Sequence, residues 1–461
     1  MDRPTNRSAS VFAYEGIPPA GQLIPLGLQH VVAAVVGVIT PSLIISGSEV
    51  CNLSADEKTT LIQASLVITA LATLLQLFPV FRRIGSRLPV VMGISFAYVP
   101  ALTAIGGQFG LPTILGAELA GGLIAVIFGI FVKPIRKLFP PLVTGTVIFT
   151  IGLSLYPTAV RYMVGGDASS EWFGGARSWG VALFTFAVVI FLNNFAKGIW
   201  KLGSLLFGMI AGYIAACFAG IVDLSGVADA QWASLPRFMP FEIEFVPSAV
   251  VSLAIVYIVN SVQTIGDLSS TTMGGMGRVP TDQELSGGII GQGLMSIIGV
   301  FFGGLPVASF SQNVGIVTVN KVINRAVFAF SALVLLIAGL VPKFAAVLTT
   351  IPQCVIGGAT LSVFATITMT GIRMIVSDGE FTVRKSTVAG LSVALGTGIT
   401  QVPGCLSGAG FPDWVSTVFG STAVVAAAIM AIILNLVLPK DHPAESYSND
   451  QKNRQGLTEV V

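Results

Sequence analysis

Amides and hydroxyls gather where an apolar chain has least use for them. Residues 305–325 read LPVASFSQNVGIVTVNKVINR and lie between two long apolar segments. Pro306, Ser309, Ser311, Gln312, Asn313 and Gly315 fall close together there. At membrane depth such groups are tolerated where they line a protected or wet cavity. A Gly/Pro-interrupted apolar segment is also a sequence pointer to a transporter's binding site. The expected form is an extended piece up to about Ser311, then a half-helix that starts with Gln312 and Asn313. Its first N–H groups and the two side-chain amides would face a polar ligand. The plainer alternative is a continuous helix whose polar patch binds other helices.

Few other polar residues fall inside apolar runs. His30 lies in LGLQHVVAAVVG, Gln263 and Asp267 in NSVQTIGDLSS, and Gln292 in the run that follows. Gln263 and Asp267 are four apart and share a helix face. Asp267 is expected to be the only acidic residue within a span, facing a cavity or a partner. Its structural alternatives are a helix cap or a pair with His30; for Gln292 the alternative is a bond between helices. This set can hold a ligand by hydrogen bonds and carry a proton. It cannot do covalent catalysis: the only other histidine, His442, lies in the polar tail, so no base sits beside a nucleophile. Metal-ligand clusters and phosphate-binding glycine motifs are missing too. The expectation is no enzyme, no cofactor and, for uphill transport, an ion gradient.

The elements that would position these groups follow from composition. Hydrophobic residues make up 53% of 461 and charged residues 10%, against about 25% charged in average proteins. Lipid is the expected solvent. A net charge of +2 argues against a nucleic-acid partner. Cys51, Cys217, Cys354 and Cys405 have no metal or redox spacing and read as small apolar residues. The first sixteen residues contain no apolar signal core. Apolar segments of spanning length are expected near 22–46, 59–80, 89–106, 112–132, 141–158, 179–196, 202–222, 247–273, 286–303, 305–323, 326–342, 351–372, 386–402 and 418–438. Two of these fourteen, 89–106 and 305–323, are short and interrupted.

Charge tests the count, because cytoplasmic loops collect Lys and Arg. With both termini inside, Lys58, Arg161, Arg177, Arg237 and Lys343 fall outside, and the other 19 of 24 fall inside. One miscounted span would reverse every later loop. The halves also echo each other. Residues 93–97 (GISFA) match 307–311 (VASFS), and 141–145 (PLVTG) match 352–356 (PQCVI). An offset of seven segments inverts the second half in the membrane, the arrangement of many secondary transporters.

Here the chain resembles the nucleobase–ascorbate transporters, the uracil/xanthine permease family, from about residue 20 to 440. The family signature is Gln/Glu/Pro-Asn-x-Gly-x-x-x-x-Thr-Arg/Lys/Gly. It is met by Gln312, Asn313, Gly315 and Lys321, with Asn320 where Thr is usual. SFAYVP (95–100), QTIGD (263–267) and His30 extend the likeness. The resemblance implies an all-α integral membrane protein of fourteen transmembrane segments in two inverted repeats of seven. Segments 3 and 10 would each carry a short β-strand and a half-helix. A core domain would comprise 22–138 and 247–345, and a gate domain 139–246 and 346–440. Residues 1–21 and 441–461 would be cytoplasmic ends in the plasma membrane, the inner membrane of a bacterium. A homodimer through the gate domain is also implied.

Carried over by position, Gln312 would grip a nucleobase and Phe96 would flank its ring. The backbone at Phe96 and Ser311 would supply N–H or C=O. His30, Asp267, Gln292 and Asn313 would serve ion coupling or site architecture. Gln263 stands where relatives usually have Glu, and Gln292 where many bacterial ones have Asp. An amide both donates and accepts but does not titrate, so coupling by H⁺, or by Na⁺, would pass to other groups. Gln at 312 points toward the bacterial xanthine and uric acid permeases; Glu there is typical of uracil carriers. The alternatives are a uracil or other nucleobase carrier, Na⁺-coupled or uncoupled. From other classes they are a non-transporting receptor and a channel-like pore.

Overall fold

The computed structural model describes residues 10–439 apart from 82, 136–138, 225–226, 229, 378–379, 403, 409, 413–414 and 421. The tail expected at 441–461 and the first nine residues lie outside the described residues.

Helices dominate. The first run is α1 (Ala20–Ser46), α2 (Ala55–Leu77), strand β1 (Met92–Ile94), α3 (Val99–Phe109), α4 (Leu111–Ile130) and the short α5 (Val132–Ile135). Next come α6 (Pro141–Ser154), α7 (Tyr156–Met163), α8 (Ala176–Phe195), the short α9 (Ile199–Leu202) and α10 (Ser204–Phe218). The second half gives α11 (Pro247–Ser270), α12 (Asp282–Val300), β2 (Val307–Ser309), α13 (Ser311–Asn320), α14 (Arg325–Gly339) and α15 (Pro342–Thr349). It ends with α16 (Gln353–Val376), α17 (Val383–Gln401) and α18 (Ala423–Val437). A helix, or a strand followed by a helix, falls on each apolar run read from the sequence. Among the described residues seven helices are long and apolar enough to cross a membrane, and α14 with α15 makes an eighth if that pair, bent by 78°, is one span.

The packing divides in two. In one group α4 packs on α11 and α12, and α2 on α14, α1 and α15. In the other, α16 packs on α6, α7 and α8, α10 on α8, and α18 on α17 and α6. The groups meet lightly, through α1 with α9 and α10 and through α11 with α6 and α18.

Local chemistry fixes the element ends. Ser54 with Glu57 and Thr281 with Glu284 form capping boxes that start α2 and α12. Thr281→Ala is expected to cost about 1 kcal/mol and to lower the melting temperature of the purified protein in detergent without changing the uptake rate per molecule. Between α3 and α4 the chain turns on Gly110 at φ 86°. The end of α13 is Lys321 at φ 57°, whose ammonium bonds the Gly274 carbonyl.

The break expected within 305–325 is present: β2 is extended and α13 begins at Ser311. Its pairing corrects the expected positions. β1 and β2 run antiparallel, with Met92 opposite Ser309, Gly93 opposite Ala308 and Ile94 opposite Val307. The first strand thus precedes residues 95–97, and the second stops at 309. Ser95 accepts a bond from the Ala97 N–H at its own hydroxyl and ends the strand in a turn. The shift needs a register set by a partner strand 215 positions away (Gly93 to Ala308). Gly93 lies in van der Waals reach of the Phe310 ring, where a Cβ would be 3.1 Å from Cδ2.

Candidate functional site

The face of α11 that carries Gln263 and Asp267 meets the junction of β2 and α13. Asp267 Oδ2 accepts from Ser309 Oγ at 2.6 Å and from Ser311 Oγ at 2.9 Å. Gln263 Nε2 donates to Ser311 Oγ at 3.3 Å. One carboxyl therefore fastens both sides of the strand-to-helix corner, and one amide reaches the same hydroxyl. The expected pair of Asp267 with His30 does not form, and Asp267 caps no helix. His30 Nδ1 instead bonds Asn313 Oδ1 at 3.0 Å, and its ring lies 4.4 Å from that of Phe328. Asn313 is buried on the α1 side of α13 while Gln312, one residue earlier, is exposed. Neighbouring helical residues point about 100° apart, so the two amides serve different surroundings.

Among the described residues the Gln312 side chain makes no hydrogen bond, and it stands on the first turn of α13. The N–H groups at Ser311 and Gln312 have no preceding helical carbonyl to meet. A Cβ added at Gly315 or Gly266 would meet nothing within 4 Å. The first turn of α13 thus carries free amide donors and an exposed carboxamide without a hydrogen-bond partner among the described residues.

Gln292 is fully buried and joins three elements. Its Oε1 accepts from Thr264 Oγ1 at 2.7 Å, while Nε2 donates to Asn260 Oδ1 at 2.9 Å and to the Tyr98 hydroxyl at 3.5 Å. Asn260 Nδ2 in turn donates to Ser95 Oγ at 3.2 Å. Phe96 is buried, and its ring meets Phe364 of α16 edge-on at 5.6 Å, a contact between the two packing groups. Its carbonyl accepts from the Val99 N–H at 3.2 Å, so the start of α3 already uses that oxygen. Phe96 follows β1 and Ser311 follows β2, and they leave the antiparallel ladder at opposite ends.

Ser309 stands out in the sequence only as part of the polar run, without a role, and Thr264 and Asn260 do not stand out at all. Asn260, Gln263, Thr264 and Asp267 repeat at helical spacing, which marks one polar face of α11. The sequence reading also misses Glu118. This acidic residue lies within α4 and is fully buried, so Asp267 is not the only acid in an apolar helix. A cavity of about 1020 Å³, lined by Asp56, Gln63, Trp172, Arg237 and Gln353 among others, touches none of the expected site residues. Beside it the groups are joined by the Arg161–Glu49 ion pair and by Tyr162, whose hydroxyl donates to the Ile44 carbonyl at 3.0 Å.

Residues 21–405 match the sequence model of the xanthine/uracil permeases, described as a permease family. The chain belongs to this family, the nucleobase–ascorbate transporters. It is a multi-pass membrane permease and not an enzyme. It is 36% identical over 429 residues to the uric acid permease PucK of Bacillus subtilis, covering 92% of this chain and 96% of that one. It is 32% identical to the xanthine permease of the same organism, over 90% of this chain and 94% of the other. The fold is similar to the transmembrane domain of the cyanobacterial bicarbonate transporter BicA, with a TM-score of 0.60 at 15% identity over 90% of this chain and 96% of that chain.

Proposed function

We propose that the permease imports an oxopurine, xanthine or uric acid, by alternating access coupled to H⁺. The observation that carries this reading is the corner where β2 meets α13. Gln263, Ser311 and Asp267 are bonded together there, and beside them the Gln312 carboxamide is free. An oxopurine edge alternates N–H and C=O, and a carboxamide matches two adjacent atoms of such an edge. Gln263 and Gln312 hold the base, the Ser311 N–H adds a donor, and Phe96 closes the site with Phe364.

Fourteen spans in two inverted repeats, with both termini cytoplasmic, account for the element order. The group of α1–α4 with α11–α14 acts as the core and the group of α6–α10 with α16–α18 as the gate. Their light mutual contact supports rigid-body movement. A homodimer through the gate side completes the reading.

The test is uptake of labelled xanthine, uric acid, hypoxanthine and uracil by expressing cells, with a protonophore and with Na⁺ replaced. Gln312→Ala is expected to weaken half-saturation roughly 5- to 150-fold, as for about 1–3 kcal/mol of lost pairing, at unchanged membrane level. Normal high-affinity uptake in this variant contradicts the site. Uptake of uracil alone contradicts the oxopurine.

A further inference from the structure

We propose that Glu118 of α4 is a proton-binding site of this permease, linked to the strand-to-helix corner through Tyr98, Tyr257 and Gln292. The inference rests on the transport reading above and names a coupling group for it.

Glu118 has no exposed surface, and neither carboxyl oxygen has a hydrogen-bond partner. Among the described residues no Lys, Arg or His pairs with it. An ionised, unpaired carboxylate in such a place costs far more than a neutral carboxyl. A carboxyl kept there serves best as one that gains and loses a proton. Bare helix faces let its neighbours come close. A Cβ on Gly121, one turn along α4, would lie 2.3 Å from Tyr257 Cδ2, and one on Gly299 of α12 would lie 4.0 Å from Glu118 Oε1. The Tyr257 hydroxyl is likewise buried and meets no partner in full hydrogen-bond geometry, Ser296 of α12 being its nearby polar neighbour. The Tyr257 and Tyr98 rings sit 4.7 Å apart, and both phenols interact electrostatically with Glu118.

The surroundings hold little else that titrates. α11 contributes Tyr257, and the turn before α3 contributes Tyr98. α12 presents neutral Gln292 and Ser296. Near the start of α4, Glu244 accepts from Thr113 at 3.2 Å. Past its far end, Lys133 pairs with Asp282 at 2.7 Å. Glu118 is thus the one carboxyl here with no donor already committed to it.

Loading transfers a proton from a hydronium ion to a carboxylate oxygen, breaking one O–H bond of the hydronium, forming the carboxyl O–H bond and leaving water. Unloading returns the proton to water and leaves the electron pair on the carboxylate. A neutral carboxyl can donate to a phenol oxygen and an ionised one can only accept from phenol O–H groups, so a change of charge favours different side-chain orientations of the two tyrosines. Reorienting Tyr98 changes what Gln292 Nε2 meets. From Gln292 the path continues through Thr264 to Ser309 Oγ, 3.4 Å from Thr264 Oγ1, and so to Asp267. The Gln292 amide does not relay protons. What passes along the path is hydrogen-bond orientation, which reaches the corner that holds the base.

The test uses purified protein in liposomes. Wild type should accumulate labelled uric acid or xanthine under an acid-outside pH step, and Glu118→Gln should exchange substrate at the wild-type rate yet lose that accumulation. Infrared difference spectra, which need no substrate, should show a protonated-carboxyl C=O band that titrates in wild type and is absent in Glu118→Gln. If Glu118→Gln does not fold, Tyr257→Phe should shift the midpoint of the band and of accumulation. The proposal is overturned by undiminished accumulation in Glu118→Gln, by equal loss of exchange, by an unchanged band, by an unmoved Tyr257→Phe midpoint, or by wild-type accumulation driven by Na⁺ alone. A wild type that exchanges no nucleobase but shows the titrating band refutes the transport reading and leaves the proton site standing.

Discussion

Asp267→Ala should abolish uptake while leaving the protein in the membrane. The carboxyl accepts from Ser309 and Ser311 at 2.6 and 2.9 Å, on either side of the β2-to-α13 corner. Removing it leaves both hydroxyls without their acceptor in a largely buried place. Each such loss costs about 1–3 kcal/mol. The strain falls on a corner held otherwise by three ladder pairs, by the Phe310 N–H on the Val91 carbonyl and by the longer bonds of Ser311 to Gln263 and of Ser309 to Thr264. A corner that relaxes by even an ångström takes Gln312 and the first α13 amides out of register with Gln263. We therefore expect the initial uptake rate to fall at least ~100-fold, which corresponds to about 2.8 kcal/mol. Asp267→Asn keeps one acceptor oxygen and should retain part of the rate. Both are read from labelled uptake normalised to immunoblotted membrane protein. An Asp267→Ala variant above half the wild-type rate would show that the corner does not depend on this carboxyl.

Much of this site is legible in the amino-acid sequence itself. The break in residues 305–325 follows from Pro306, the hydroxyls and Gly315, because no lipid-facing helix gathers such residues. Gln263 and Asp267 follow from four-residue spacing on one apolar helix. What is hidden depends on distant partners. His30 and Asn313 are 283 positions apart, and only the fold shows that they bond each other and leave Asp267 to the serines. The extent of β1 is hidden for the same reason: three residues make a strand only because Val307–Ser309 pairs with them. Glu118 is a different case. It stands in LPTILGAELAGG as a single carboxyl in an apolar run, legible by the cost of burying a charge. A motif-led reading passes over it because it lies outside the signature residues.

The second large effect concerns the other packing group and is one of stability. Gly357 and Gly358 let α16 lie against two helices at once. A Cβ at Gly357 would be 2.3 Å from the Met163 amide nitrogen of α7, and one at Gly358 would be 2.3 Å from the Ala182 carbonyl oxygen of α8. Both obstacles are backbone, which cannot turn aside as a side-chain end can. Small residues at such crossings are how membrane helices approach closely when no hydrophobic force drives them together. Gly358→Val must push α16 away from α8 and exceeds the usual overpacking cost of about 1–3 kcal/mol. We expect the membrane level to fall severalfold and the melting temperature in detergent to drop by several degrees. Gly390→Val in α17 supplies the control, since nothing lies within 4 Å of a Cβ there, and it should express like wild type. Equal levels of the two variants would refute the crossing as a stability determinant. The displacement also reaches the site. Phe364, six residues along α16, is the ring that meets Phe96. Any Gly358→Val protein that still folds should therefore bind substrate more weakly, whereas Gly390→Val should not.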